Sequence, residues 1–478
     1  MAGTRRLEAV GADDGVLQRG IEAIRREQEL PEAFPPEVEA AAARAARAPR
    51  LPALDRSELP LVTIDPPDAM DLDQALHIER RGDGYRVHYA IADVGAFVSP
   101  GDPVDLEAHR RGETLYGADA KVPLHPQALS EGAASLLPGE LRPALLWTMD
   151  LDAGGEGVSV DVRRARVRSR ARFDYAGVQA QVDAGGGDPI WGLLRKVGEL
   201  RKERERQRGG ISLPLPEQAL EQEDGRWRLS YRARHPVEDW NEQVSLLTGM
   251  AAAQLMIEGG VGLLRTLPPP QDWMIERLRR TARALRLDWP AGTAYQDFIR
   301  SLDPGDPKAI AMMVACTGLL RGAAYVAFDG QAPADAIHWA LASSYTHATA
   351  PLRRLVDRYT GEACLALCAG EPVPAWVREA LPGLPATMAA SGQRAGRFEH
   401  AVIDLAESIA LAPRVGEIFD GSVVERDKDP ARGTAMLPDL AIQAPVAAAA
   451  PLPLGEAVRL RLAEADPERR TVRFEMGQ

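Results

Sequence analysis

The chain has 478 residues, 45% hydrophobic and 26% charged, enough to bury a large core and too apolar for a disordered polymer. Its three cysteines, Cys316, Cys364 and Cys368, show no CxxC or Cys/His spacing, which argues against a disulfide framework and a structural zinc site. A net charge of −12 argues only weakly against a nucleic-acid partner, because a channel needs just a local basic lining, and the cations are 52 arginines against five lysines.

Residues 1–55 read as a small helical domain. Residues 15–28 place Val16, Leu17, Ile21 and Ile24 near helical spacing, prolines interrupt at 31–36, and an alanine-rich helix follows over 37–48. Two helices and a turn admit a helix-turn-helix, and equally any other helical pair. From Leu59 the pattern turns to strands: 61–65, the alternating run 85–94 after a hairpin turn at Asp83–Gly84, then 145–152 and 158–172. Helix is predicted over 175–206, a break at GGISLPLPE, and helix again over 238–258, 272–286, 306–320, 351–369 and 385–411. Strands followed by helices predict an α+β domain over 56–412, a mixed sheet surrounded by helices. Residues 413–478 carry short strands that suggest a small OB-like barrel, with APVAAAAPLP at 444–453 as a loop or hinge. No apolar run reaches ~18 residues and no signal segment precedes residue 15, so a cytoplasmic protein without membrane contact is expected.

Three segments carry chemistry. TIDPPDAMDLDQAL, 63–76, holds Asp65, Asp68, Asp71 and Asp73 around a turn forced by Pro66 and Pro67. Converging carboxylates suit a hard cation such as Mg²⁺, and two such ions could clamp a displacement at phosphorus; a solvated acidic loop is the plainer alternative. THATAPLRRLVDR, 346–358, places Arg353 and Arg354 in the first turn of a helix opened by Pro351, where cations are disfavoured unless an anion lies nearby. VRRARVRSRARF, 162–173, alternates arginine along a strand and could track a phosphate backbone, or simply face solvent.

Taken together, over about 56–412, these segments resemble the RNase II family of RNB-domain exoribonucleases. The aspartate segment is similar to its signature TIDP…D-x-D-D, YRVHYAIADVGAFVSPGDPVDLEA to its A-I-A-D-V stretch, TLYGADAKVPLHPQALSEGAASLLPGELRPAL to its T-x-Y segment, and THATAPLRRLVD to its T-S-P-I-R-R-Y-x-D. The resemblance implies processive hydrolysis of single-stranded RNA from the 3′ end to nucleoside 5′-monophosphates, with Mg²⁺, or Mn²⁺ as a substitute, by a monomer. It assigns Asp65, Asp71 and Asp73 to metal and catalysis, Tyr116 to the 3′-terminal base, Tyr175 to the active site and Arg353 to the scissile phosphate, with Arg354 beside it. Glu399 aligns with an active-site glutamate, and Glu242 with one that reads the ribose.

The chain also departs from the family. The signature's last aspartate is Gln74, an oxygen ligand without charge, and a base-clamping aromatic falls near Leu213, which cannot π-stack. Fewer than 60 residues precede the signature, too few for the family's two cold-shock barrels, so a wider entrance tolerant of duplex regions is expected. The other readings are a catalytically weak RNA-binding protein of the same fold, which Gln74 favours, and a deoxyribonuclease, which Tyr116 and Glu242 oppose.

Overall fold

The computed structural model describes residues 5–8, 14–31, 33–117, 121–213, 217–223, 226–232, 234–303, 306–437 and 442–477. The chain begins with β1 (Arg5–Glu8), α1 (Asp14–Glu27) and α2 (Pro36–Arg47). Next come β2 (Leu61–Ile64), β3 (Gln74–Arg81), β4 (Gly84–Ala92), α3 (Pro103–Arg111), β5 (Leu141–Leu151) and β6 (Gly157–Phe173). A helical half follows with α4 (Tyr175–Asp183), α5 (Pro189–Arg208), the strands β7 (Glu217–Glu223) and β8 (Arg226–Arg232), and α6 (Pro236–Gly259). Then come β9 (Val261–Thr266), α7 (Asp272–Ala284), α8 (Tyr295–Arg300), α9 (Pro307–Cys316), β10 (Ala324–Asp329), β11 (Ile337–His338) and β12 (Ser343–Ser344). Helices α10 (Leu355–Ala369), α11 (Ala375–Ala380) and α12 (Leu384–Leu411) lead to β13 (Ile418–Arg426), β14 (Arg432–Leu437), β15 (Ile442–Ala447), β16 (Ala457–Asp466) and β17 (Thr471–Met476).

The α+β class holds. Strands β2 to β6 close into a barrel in sequence order, antiparallel throughout except where β2 meets β6 in parallel. Alternation along β4 explains why it is buried on both faces. Tyr85, Val87, Tyr89 and Ile91 join a core with Trp147, Trp191, Trp240 and Tyr359, whereas Ala90 and Ala92 join a second core with Ala144, Leu146, Ala165 and residues of α2. The β3–β4 turn has two residues, and Gly82 takes φ +59°, a conformation glycine adopts without strain.

The amino-terminal helices pack on two different parts of the molecule. Helix α1 buries Leu17, Ile21 and Ile24 with Phe398, Val402 and Leu405 of α12 and with the carboxy-terminal barrel, while α2 buries Val38 and Ala42 in the second core of the β2–β6 barrel. The two helices therefore share no core of their own. Residues 5–8 are a strand paired antiparallel with β8, not helix. The predicted break after α5 instead leads into the β7–β8 hairpin, whose alternating Trp227, Leu229 and Tyr231 were the available signal.

Two further boundaries move. Helix α10 begins at Leu355, not Pro351, because part of the preceding backbone is committed elsewhere: Leu352 N–H to Asp73 and Arg353 C=O to Thr114 N–H. Part of the expected 444–453 loop is strand β15, paired with β14 and β17. The strands after Ile418 close into a barrel, β13-β14-β15-β17-β16, with Phe419 and Phe474 edge to face inside it. Among the described residues, no helix is long and apolar enough to cross a membrane.

Because α1, α12 and the second barrel share one core, a cavity in α1 should be felt globally. Ile24→Ala is expected to destabilise the protein by about 2–5 kcal/mol, read from the urea midpoint. A loss below about 0.5 kcal/mol would mean that α1 does not seal this core.

Candidate active site

The aspartate loop leaves the barrel at the carboxyl end of β2. Asp65 N–H still donates to Phe173 C=O (3.1 Å), and then Pro66 and Pro67 turn the chain away. The loop is pinned from below by Arg172, which donates to both proline carbonyls, and by Ser135, whose hydroxyl donates to Met70 C=O (2.6 Å) and accepts from Leu72 N–H (3.0 Å). It returns at Asp73 to start β3. A cavity of about 530 Å³ lies over it, lined by Asp65, Asp71, Asp73 and Gln74. Arg353, Tyr116 and Tyr175 complete one wall, and His235 and Glu238 another.

The carboxylates differ in environment. Asp73 is 4% exposed; its Oδ1 accepts Leu352 N–H (2.8 Å) and its Oδ2 lies 3.4 Å from Arg353 Nε. Burial nevertheless raises its pKa to about 8 against the pull of Arg353 and that hydrogen bond. Burial likewise raises Asp65 to about 6, although Arg353 and Arg172 oppose it, and Asp65 Oδ2 is buried with no hydrogen-bond partner. Asp71 Oδ1 pairs with Lys121 Nζ (2.8 Å), which also meets Glu131 Oε1 (2.7 Å). Asp68 is exposed and does not line the cavity.

Tyr116 is 49% exposed, open enough for its ring to meet a ligand. Tyr175 opens α4, with its hydroxyl accepting from Asn241 Nδ2 (3.2 Å), and burial raises its pKa to about 12. His235 caps α6, and Glu238 closes the capping box by accepting His235 N–H (2.8 Å). Lys121, His235 and Glu238 were not singled out from the sequence. The HPVE capping pattern, 235–238, and the lysine five residues after Tyr116 were the signals available.

Several expected site residues lie elsewhere. Glu399 is exposed on α12 and does not line the cavity. Glu242 pairs with Arg234 Nη2 (2.8 Å) outside the lining. Arg354, the N-cap residue of α10, turns back in a two-pronged pair onto buried Asp357 (2.9 Å each), which neutralises a cation misplaced at a helix start. Leu213 packs with Ile211, Phe298 and Leu302 against α7–α9. The Gln74 amide is engaged inside the protein on both its polar atoms, its Nε2 donating to Thr349 C=O (2.6 Å) and its Oε1 accepting from Tyr89 OH (2.7 Å). The β6 arginines are ties: Arg164 to Asp93 and Glu362, Arg166 to Asp55, Arg170 to Asp188, Arg172 to the aspartate loop. His347 is buried against the Tyr325 hydroxyl.

Among the described residues, no three acidic, histidine or cysteine side chains form a ready-made metal cluster. The donor set still suits a hard divalent cation. Five carboxylates line the cavity, those of Asp65, Asp71, Asp73, Asp174 and Glu238; one Asp65 oxygen is orphaned, and a cation would oppose the burial that raises Asp65 and Asp73.

Residues 54–365 match the RNB domain, and residues 417–476 the RNase II-type exonuclease C-terminal S1 domain. The chain is 30% identical to ribonuclease R of Escherichia coli (strain K12) over 380 residues, 74% of this chain and 46% of that protein, so it spans about half the length of the curated relatives it matches. Its fold superposes on the apo form of Mycoplasma genitalium RNase R with a TM-score of 0.86 at 17% identity, covering 96% of this chain and 78% of that one. The same protein solved with double-stranded RNA gives 0.83 at 18%, covering 96% and 83%. Yeast Ssd1, a pseudonuclease, gives 0.71 at 15%, covering 90% and 55%. Identities this low show shared architecture alone. The sequence match across 54–365, over the cavity where aspartate and arginine loops meet, makes the chain a member of the RNB-domain family with an RNase II-type C-terminal S1 domain.

Proposed function

We propose that the protein is a 3′→5′ exoribonuclease that hydrolyses RNA processively to nucleoside 5′-monophosphates at the Asp65–Asp73 cavity. The observation that carries this reading is the meeting of Asp65, Asp71, Asp73 and Arg353 in one cavity beside Tyr116 and Tyr175. Asp65, Asp71 and Asp73 would hold Mg²⁺, or Mn²⁺ in its place. One or two such ions, when bound, would supply a water of lowered pKa and positive charge to offset that of the reacting phosphate. Arg353 faces the phosphate and offsets its charge, with Asp73 aligning the guanidinium. Tyr116 presents a half-exposed ring on which a base can stack, and Tyr175 lines the same cavity. Water adds to phosphorus, the P–O3′ bond breaks, and the released 3′-oxygen takes a proton. The enzyme is proposed to act as a monomer, as the family resemblance implies. Single-stranded RNA is the substrate, and RNA with duplex regions is included because a structural relative has been solved with double-stranded RNA.

A second reading, an RNA-binding protein that cleaves weakly, is favoured by Gln74 in place of a carboxylate. The two separate in a gel time course on 5′-labelled unstructured RNA with Mg²⁺. The nuclease should leave one short product with few intermediates. Asp73→Asn should bind RNA but slow cleavage by more than about 100-fold, beyond what outer-shell partners of a metal contribute. Release of no mononucleotide at any Mg²⁺ or Mn²⁺ concentration would favour the binding protein.

The buried carboxyls also set a pH response. Asp73, held up near 8 when folded, binds its proton more tightly in the native state than in the unfolded chain. In chelator, its contribution is therefore largest below the unfolded carboxyl range and is lost as pH rises towards 8. Thermal stability without metal should fall between about pH 5 and about pH 8, by at most about 1.4 kcal/mol per pH unit for this group. Asp73→Asn should flatten the slope; an unchanged slope would assign it to other groups.

A further inference from the structure

Gln74 is the position where the acidic signature breaks, and its side chain has a defined task in the structure. The Thr349 carbonyl can only accept a hydrogen bond, so the amide nitrogen of Gln74 must face it, at 2.6 Å. That fixes the amide oxygen towards the buried Tyr89 hydroxyl, at 2.7 Å. Thr349 opens the loop that ends in Arg353. The same loop is held by Asp73 through Leu352 N–H (2.8 Å), by Asp357 through Ala350 N–H (2.7 Å), and by Thr114 N–H on Arg353 C=O (3.0 Å). The Thr349 hydroxyl meets Ser245 of α6 at 2.8 Å. Two consecutive residues, Asp73 and Gln74, thus grip the arginine loop three residues apart, and the Arg353 guanidinium emerges into the cavity.

We propose that Gln74 is a positioning residue: it fastens Thr349 to β3 so that Arg353 faces the cavity, and it does not ligate the divalent ion. An ionised carboxylate at this position would set oxygen against the Thr349 carbonyl oxygen, repelling the loop that the amide draws in. The change from acid to amide therefore exchanges a candidate ligand for an anchor. This inference rests on the proposed nuclease reading for the role of Arg353, and the geometry of the anchor stands apart from it.

The test compares the wild type with Gln74→Met, Gln74→Glu, Arg353→Ala and the Gln74→Met/Arg353→Ala double variant. Mn²⁺ binding is read by electron paramagnetic resonance of the free ion, and binding of a 3′-hydroxyl RNA oligonucleotide by fluorescence anisotropy. Gln74→Met should weaken RNA binding about tenfold, as expected when hydrogen bonds that place a charged group are lost, and leave Mn²⁺ affinity within about threefold. In the Arg353→Ala background it should have no further effect beyond about twofold. Gln74→Glu, nearly isosteric, should not tighten Mn²⁺ binding, as it would if this position were a ligand, and that arm keeps the idea testable if the methionine variant misfolds. A tenfold loss of Mn²⁺ affinity in Gln74→Met, Mn²⁺ binding tightened by Gln74→Glu with RNA affinity kept, or multiplicative effects of Gln74 and Arg353 would each overturn the proposal. Neither binding arm needs turnover, so a wild type that binds RNA and releases no nucleotide would sink the nuclease reading while the anisotropy and Mn²⁺ results still decide the role of Gln74.

Discussion

The buried carboxylate of Asp73 is the constraint on which the site depends. It joins two segments 279 residues apart, taking Leu352 N–H on one oxygen and facing Arg353 with the other. A buried acid without partners would be costly, and here the compensation is also the architecture: the groups that satisfy Asp73 are the backbone and side chain of the arginine loop. The barrel supplies the rigid half of this joint, since Asp73 leads directly into β3, whose register with β4 is continuous from Gln74↔Ile91 to Arg81↔Gly84. The arginine loop supplies the other half and runs into α10, which packs on α6 and β6. Displacing either side would leave a buried polar group unpaired, so the geometry of the cavity is inherited from the core on both sides of it.

This economy of charge explains how an acidic protein can house a phosphate-facing arginine. Four of the six arginines of β6 are spent inside the fold: Arg164, Arg166 and Arg170 on Asp93, Glu362, Asp55 and Asp188, and Arg172 on carbonyls of the aspartate loop. Arg354 is spent on Asp357. Arg353 differs: its side chain is 45% exposed and its carboxylate partner is at the edge of contact, 3.4 Å away. A guanidinium held loosely by one carboxylate keeps donors for an incoming phosphate, whereas a two-pronged pair such as Arg354–Asp357 has already used its fork. Lys121 plays a matching part on the other flank, balancing Asp71 and Glu131.

The sequence was most informative where chemistry is local. Asp65, Asp71, Asp73, Tyr116, Tyr175 and Arg353 all reach the cavity because each lies beside a proline turn, a strand end or a helix start that aims it. Glu399, Glu242, Arg354 and Leu213 do not, and the reason differs from one to the next. One faces solvent on α12, two are claimed by ion pairs, and one is absorbed into a helical core. The same distinction applies to the fold. The amphipathic period of α1 and α2 was legible, yet their hydrophobic faces are complementary to different cores, and nothing in a period of 3.6 names the surface that will cover it.

The shared core of α1, α12 and the second barrel carries a mechanical consequence. Phe474, Leu437 and Val446 of the barrel, Leu405 and Ile409 of α12, and Ile24 of α1 form one apolar cluster, so the S1-type domain is not tethered by a linker but set at a fixed attitude. The same cluster takes in Leu115, next to Tyr116, and Val122, which pair with each other through their backbones. The position of the Tyr116 ring is therefore coupled, through Leu115, to the packing of α12 and the barrel. A relative orientation fixed by close-packed apolar contact resists small displacements, because interiors at crystal-like density have no slack to absorb them. The second barrel thus braces the cavity's aromatic wall whether or not it touches a nucleic acid, and its two phenylalanines, buried inside it, serve that bracing rather than an exposed stacking surface.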